Sequence, residues 1–569
     1  MELRETDVGG VPTFWLESEE EHRSELRACL MFRVGRADET LAYGGITHML
    51  EHLALYQLGG RAEQHHNGQV ESVVTKFMVH GGDEDVVKFF GDVCGGLADL
   101  PLFRIEDERR VLRTEAESRS SSVADPLLTW RYGAATYGLP GFRELGLRHV
   151  GPDDIVRWRD RWFTAGNAVL LFAGGPPPEG LRLNLPPGER ISPPEPSDAL
   201  AWLPTYFNES VNGVGMQTVL RRSTAATMYA RILERRIFTV LRHEHGLTYG
   251  PQAAYVPRDG QFAHVTAFAD GVPESHEKLV PLFVEQMERL AEGGVDHGEL
   301  TECVRHVIEP MSEPEWANAH LYASAWDTLM GRPGRATPSE LRKEYEEPTP
   351  GAIQDVASAA LANALFMLPA GQRLSAVKYA PVLAGSPDTV PGTRYEPVDA
   401  SSQVALVVGD EGVSLVDGVV NYTVRYRDCV AMLAWPDGAR HLVGRDAVQV
   451  EVEPALWRMD RAEVARIDAG MPSGAVVPMP ERDPEAIPRP SVTTPPPSPQ
   501  SDDSGLFGLF GVDRLPPPMR WYALAAIIAG LAAVLFTLSL LGHRMVAITL
   551  FAVLYVARLI VVERRKKRS

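Results

Sequence analysis

Residues 44–55, GGITHMLEHLAL, place apolar positions at helical spacing. On a wheel of about 100° per residue, Ile46, Met49, Leu50 and Leu53 gather on one side. His48, Glu51 and His52 gather on the other. The pattern predicts an amphipathic helix with one apolar face and one face of two imidazoles and a carboxylate. Residues 103–119, FRIEDERRVLRTEAESR, predict another helix. There Glu108 and Glu115 share a face with Ile105, Val111 and Leu112. The run VVKFFGDVCGGLADL at 86–100 also reads as helix, and RACLMFRVGR at 27–36 and NAVLLFAGG at 167–175 read as strands. Residues 1–188 therefore read as one mixed α+β domain. A proline-rich join, PPGERISPPEPSD, leads into a second α+β part at 199–385. Its elements include the helical AATMYARILERRIFTVLRHEH and the strand GQFAHVTAFAD. The two parts match in size and element order, which suggests an ancient duplication.

The pattern changes after that. Residues 395–470 are short alternating strands with Gly-Asp and Asp-Gly turns, and PALWRMDRAEVARIDAG predicts a closing helix. A small β domain of pleckstrin-homology-like shape is expected. Residues 471–518 are proline-rich and lack apolar periodicity, which predicts an extended, semi-rigid linker. Trp521–Leu541 and Met545–Val562 are apolar runs of about the length that spans a bilayer. Only Gly542, His543 and Arg544 separate them, so 519–569 predicts a transmembrane helical hairpin. The tail ERRKKRS is basic, which places both ends of the hairpin in the cytoplasm. The N-terminus lacks a basic and an apolar signal region. The expected location is the cell membrane, with the folded domains facing the cytoplasm.

Composition narrows the function. The 569 residues carry a net charge of −19, which excludes a nucleic-acid-binding body. The four cysteines have no paired spacing, so neither a disulfide framework nor a cysteine zinc site is expected.

Chemistry concentrates in the first helix. Two histidines at i and i+4 can hold one Zn²⁺ through ring nitrogens. Glu51 precedes the second histidine, so it points beside the metal, where a base can take a proton from attacking water. A zinc site needs a third protein ligand. Glu108 and Glu115 lie on an apolar stripe, where carboxylates are costly unless a cation meets them.

The HxxEH motif with a distant glutamate resembles the M16 metallopeptidases, the family of pitrilysin, insulin-degrading enzyme and the mitochondrial processing peptidase. The resemblance spans about residues 10–385. It implies two tandem M16-type domains of LuxS/metallohydrolase-like fold. ERRVLRTEAE looks like the family's ERxxxxxE, which implies that Glu115 binds zinc with His48 and His52, and that Glu108 assists catalysis. NGQVESVVTKF resembles the family's substrate strand and places Asn67 beside bound peptide. LRHEHGLTYG resembles LRExxGLxY and implies that Arg242 and Tyr249 contact substrate. This chain departs from the pattern at Gly68 and Val70 and has a shorter stretch between His52 and Glu115, with a trimmed loop near Arg61–His66. His65 and His66 read as loop residues, and His243 and His245 as polar surface. Two-domain members of the family work as dimers, so a homodimer or a heterodimer with another M16-like chain is expected. The favoured function is a membrane-tethered zinc endopeptidase for unfolded peptides, with Glu51 as base. The alternatives are a catalytically inactive scaffold and a peptide-binding subunit of a membrane complex.

Overall fold

The computed structural model describes residues 3–16, 25–56, 58, 66–118, 122–332, 337–383, 385–399 and 404–490. In the first part the strands are β1 (Leu3–Val8), β2 (Val11–Leu16), β3 (Leu26–Phe32), β4 (His66–Val70), β5 (Thr75–Gly81) and β6 (Ala168–Ala173). They form one sheet in the order β1-β2-β6-β3-β5-β4. The β2–β6 pair is parallel and the others antiparallel. Strand β3 is apolar almost throughout because both faces are covered. Leu30 and Phe32 pack under helices α1 (Ile46–Leu55) and α2 (Asp83–Ala98), while Cys29 and Met31 face the other way. Helices α3 (Ile105–Ser118), α4 (Ala124–Tyr132) and α5 (Pro152–Trp162) complete this part.

The second part has strands β7 (Thr205–Glu209), β8 (Gly213–Arg221), β9 (Gln252–Pro257), β10 (Phe262–Asp270), β11 (Leu365–Pro369) and β12 (Ala380–Pro381), in the order β12-β7-β11-β8-β10-β9. Its helices are α6 (Thr224–Ile237), α7 (His276–Gly293), α8 (His297–Ile308), α9 (Pro314–Leu329), α10 (Pro338–Glu346) and α11 (Pro350–Ala362). The sheet repeats the first one's topology. Strand β7 runs parallel to β11, as β2 does to β6, and β11–β8, β8–β10 and β10–β9 are antiparallel like β6–β3, β3–β5 and β5–β4. The outer strand differs, since β12 pairs parallel with β7 where β1 is antiparallel to β2.

The two parts exchange helices. Leu127 of α4 packs on Phe207, Leu365 and Met367 of the second sheet. Arg131 of α4, buried, donates to Gln217 Oε1 at 3.0 Å, Gln217 O at 2.7 Å and Asn363 O at 3.0 Å. Reciprocally, Leu321, Ala325 and Leu329 of α9 pack on Phe14, Met31 and Leu171 of the first sheet.

The β region has two four-stranded sheets. One is β13 (Thr393–Tyr395), β14 (Ala405–Val408), β15 (Gly412–Val416) and β16 (Asn421–Arg425), in that order. The other contains β17 (Cys429–Ala434), β18 (Arg440–Gly444), β19 (Gln449–Val452) and β20 (Val476–Pro478), in the order β19-β18-β17-β20. Leu406, Val424, Met432, Leu442 and Ile467 share the core between them. The predicted closing helix is a short turn, α12 (Pro454–Trp457), followed by α13 (Arg461–Gly470). Ala431, Val443 and Val477 dock on Leu41, Ala42, Ala134 and Leu139 of the first part.

Strand β20 lies inside the proline-rich stretch that begins at Met471, so an extended linker does not start there. Val477 is fully buried, and Pro478 ends an edge strand, where its missing N–H breaks no central ladder. Residues 491–518 of that stretch and both apolar runs lie outside the described residues. Among the described residues no helix is long and apolar enough to cross a membrane. One reassignment falls near the site. His66 is part of strand β4 rather than a loop, with its ring stacked on Phe89 at 4.8 Å.

Candidate metal centre and substrate edge

Helix α1 starts at Gly45, whose φ is +93°. The carboxylate of Glu39 accepts the N–H groups of Gly45 at 2.8 Å and Thr47 at 2.9 Å, so it satisfies donors at the helix start. Burial pushes this carboxyl up to about 7, against the pull of those bonds. A Cβ on Gly45 would come within 2.8 Å of Glu144 Cβ and 2.9 Å of Leu147 Cγ. Glycine therefore lets the 3-10 turn Leu145–Arg148 pack against the helix, and that packing sets Glu144 behind His48.

Each histidine has its back nitrogen engaged. His48 Nδ1 is 3.2 Å from both Glu144 oxygens. Arg36 also donates to Glu144. Burial works against the Glu144 carboxylate, yet His48 and Arg36 outweigh it and hold its pKa at about 2. His52 Nδ1 is 3.3 Å from Glu108 Oε2, and Arg104 donates to Glu108 Oε1 at 3.2 Å. Carboxylates in these positions favour the tautomer with hydrogen on Nδ1 and leave both Nε2 atoms as acceptors.

Those two Nε2 atoms converge. Each is 3.7 Å from Glu115 Oε2, and the potential ligand atoms of His48, His52 and Glu115 all lie within 4.8 Å of one another. Tetrahedral ligands at roughly 2.0–2.1 Å from Zn²⁺ stand about 3.3 Å apart, so a small contraction would close the set. Two imidazoles and one carboxylate fit that metal. The Glu115 side chain is 45 % exposed, which leaves one side of the group open to solvent.

Glu51 lies beside this group, its Oε2 3.8 Å from His52 Nε2. It is buried. Burial pushes its carboxyl up to about 7, with His52 lowering and Glu115 raising it. A group that titrates near neutrality can both accept and return a proton. The polar face predicted for α1 is thus enclosed by β4, α3 and the 144–148 turn, and His48 is only 8 % exposed.

Glu108, expected to assist catalysis, stands on the Nδ1 side of His52. The groups that meet its carboxylate are the Arg104 guanidinium and the His52 ring. It sits behind His52, on the side away from the converging Nε2 atoms. Val111, expected on the apolar stripe, is 49 % exposed.

Asn67 lies on β4, at the edge of the first sheet. It pairs with Met78, and its neighbour Gly68 pairs with Phe77. Successive residues face opposite sides. Gly68 faces α1 and Glu51, while Asn67 faces the α9 side.

No family model and no curated protein matches this sequence. Solved structures do match its fold. A protease from Helicobacter pylori aligns over 65 % of this chain and 99 % of its own, at 14 % identity and a TM-score of 0.53. A putative M16-like peptidase from Alicyclobacillus acidocaldarius aligns over 65 % of this chain and 98 % of its own, at 16 % identity and 0.51. This is the M16 peptidase fold. A peptidase M16 inactive domain from Pseudomonas fluorescens also has it, aligning over 68 % of this chain and 100 % of its own, at 13 % identity and 0.52. Identity this low establishes the M16 fold alone and leaves the chemistry to the residues at the site.

Two predicted site residues stand elsewhere in this M16 fold. The helix α6 continues as a π-helical segment, Phe238–Glu244, from which Arg242 donates to Tyr249 O at 2.6 Å. The guanidinium lies 5.1 Å from the ring centres of Phe238 and Tyr249. Asp270 holds the turn by accepting the N–H groups of Tyr249 at 3.2 Å and Gly250 at 3.1 Å. Tyr249 is 80 % exposed. Neither residue lines the cavity of about 320 Å³ that holds His48, Glu51 and Glu115.

Four residues that matter to the centre were missed in the sequence: Arg36, Glu39, Arg104 and Glu144. Arg36 and Glu39 lie just before the motif, in GRADE, and an acidic residue ahead of a glycine-started helix is a usable capping signal. Glu144 carries no such signal. It is 96 residues beyond His48, next to a 3-10 turn without periodicity.

Proposed function

We propose that this protein is a zinc-dependent endopeptidase acting on unfolded peptides or loose polypeptide segments. The observation that carries the reading is the convergence of His48 Nε2 and His52 Nε2 on Glu115 Oε2, with Glu51 beside them. When bound, zinc polarises the scissile carbonyl and acidifies the attacking water. Glu51 takes the proton from that water and passes it to the leaving amine. Glu144 and Glu108 hold the two imidazoles in orientation. Substrate adds as a strand to the free edge of β4, beside Asn67.

Arg242 and Tyr249 donate to the carbonyl oxygen as it gains negative charge. They stand outside their own chain's cavity, so a second copy, or another M16-like chain, supplies them in a dimer. The segment 519–569 tethers the enzyme to the cell membrane, with its folded domains in the cytoplasm.

The test is cleavage of a mixed library of unstructured peptides by the full chain in detergent. Glu51→Gln and a chelator serve as controls. Turnover lost in both controls supports the reading, and full activity in Glu51→Gln sinks it. A second reading, a non-catalytic scaffold, is favoured by the placement of Arg242 and Tyr249 away from the cavity. It predicts no turnover at any subunit composition.

A further inference from the structure

Among the described residues no strand pairs with the outer edge of β4, which borders two cavities on opposite faces of the sheet. The metal-side cavity touches Gly68, Gln69 and Val70. The second is a groove of about 670 Å³ on the α9 side, which opens at His66 and Asn67. It runs inward across the strands over Cys29, Met78, Leu171 and Ala173. Asn318 and Leu321 of α9 form its wall, where that helix leaves this end of the sheet bare. Cys29, Met78, Leu171 and Ala173 make an apolar floor, and Arg27 and His80 line the groove on the same face at one end. Cys29 is buried and its thiol is pushed up to about 12 by that burial, so it serves as apolar surface and not as a nucleophile.

A strand added to β4 would send alternate side chains to the two faces. Those on the α1 face meet the metal centre. Those on the other face pass Asn67 and Met78, directly at the groove's mouth. A strand advances about 3.3 Å per residue, so the groove is reached one to three residues from the point that faces Gly68–Val70. We propose that this groove is a specificity subsite that takes one bulky apolar side chain of a bound peptide strand, on the sheet face opposite the metal centre. The inference rests on the peptide-binding part of the proposed function. The occupant follows from the continuity of the groove with the free edge and from its apolar floor.

The test uses full-length Glu51→Gln protein, which holds peptide without cutting it. Twelve-residue peptides of Gly, Ser and Thr, each with one Phe scanned through the sequence, are measured by fluorescence anisotropy. Burial of one large apolar side chain corresponds to roughly tenfold or more in affinity. The expected result is that Phe in one register tightens binding by at least that factor over the all-polar peptide. Two groove-filling substitutions at partly exposed sites, Asn318→Trp and Ala173→Phe, are expected to remove the preference and leave the all-polar peptide's affinity unchanged. Absence of any register preference, or a preference that survives both substitutions, overturns the subsite. The proposed peptidase activity is judged separately. Register-dependent binding without chelator-sensitive turnover in the unmutated protein would keep the groove and sink the enzyme. Turnover with cut sites indifferent to Phe would sink the groove alone.

Discussion

A Cβ on Gly68 would lie 1.7 Å from Glu51 Oε1. The edge strand and the motif helix therefore touch with only a carboxylate between them, and the absence of a side chain at residue 68 gives Glu51 its place. The position also lines the cavity that holds His48, Glu51 and Glu115, so in the proposed peptidase the same residue would register both substrate and base.

Gly68→Ala is expected to push Glu51 aside. An ångström of misplacement at a reacting group can cost about 10²-fold in rate. Overpacking of this kind costs about 1–3 kcal/mol of stability. The check is zinc content and kcat measured on the same preparation, with zinc retained and kcat reduced. An unchanged kcat would place the proton acceptor elsewhere.

Glu108→Gln and Glu144→Gln each remove a carboxylate behind one histidine. Loss of such an outer partner lowers metal affinity by about 10–100-fold. Competition with a chromophoric chelator measures this directly. If Glu108→Gln left zinc affinity unchanged while abolishing turnover, Glu108 would have to act at the reacting atoms, against its position behind His52.

Arg242 and Glu51 serve one reaction from two chains in the proposed homodimer. Mixing inactive Glu51→Gln with inactive Arg242→Ala is expected to restore activity, because half of the dimers are mixed and each of these carries one intact site of two. Random pairing gives about a quarter of the unmutated activity. No recovery, with exchange of subunits verified by light scattering of tagged chains, would exclude action in trans within a homodimer.

His264 predicts an acid-sensitive junction between the two parts. Its Nε2 accepts the Tyr132 hydroxyl at 2.7 Å, and Arg258 donates to the same hydroxyl at 3.3 Å. Burial, then Arg131 and Arg258, push its pKa down from 6.5 to about 3. The folded chain thus keeps this ring neutral where the unfolded chain protonates it. Stability is full above pH of about 6.5 and falls as pH drops toward 3. Urea unfolding of the unmutated chain and of His264→Asn between pH 7 and 4 checks it, and the variant should show a shallower loss.

The side chains that gather at the candidate metal centre were legible because their spacing is local. An i, i+4 histidine pair and a seven-residue glutamate spacing are features of one helix turn or two, and backbone geometry alone sets their faces. The strands and helices of both halves were legible for the same reason, since apolar runs such as LRACLMF and AVLLFA carry their own period. Even so, spacing could not separate Glu115 from Glu108. Both lie on one face of α3, and only the position of α1 against that helix decides which reaches the Nε2 atoms and which stands behind His52.

The sequence by itself determined the two imidazoles, the glutamate between them and the order of the elements. Tertiary structure alone decided that Glu144 backs His48, that α4 and α9 cross to the opposite sheets, and that Gly68 abuts Glu51. Those relationships join residues separated by long stretches of chain and depend on steric fit and shared burial, which leave no periodic trace in sequence. The same holds for Val476–Pro478. Its composition describes a linker, and only the exposed edge of β17 made it a strand.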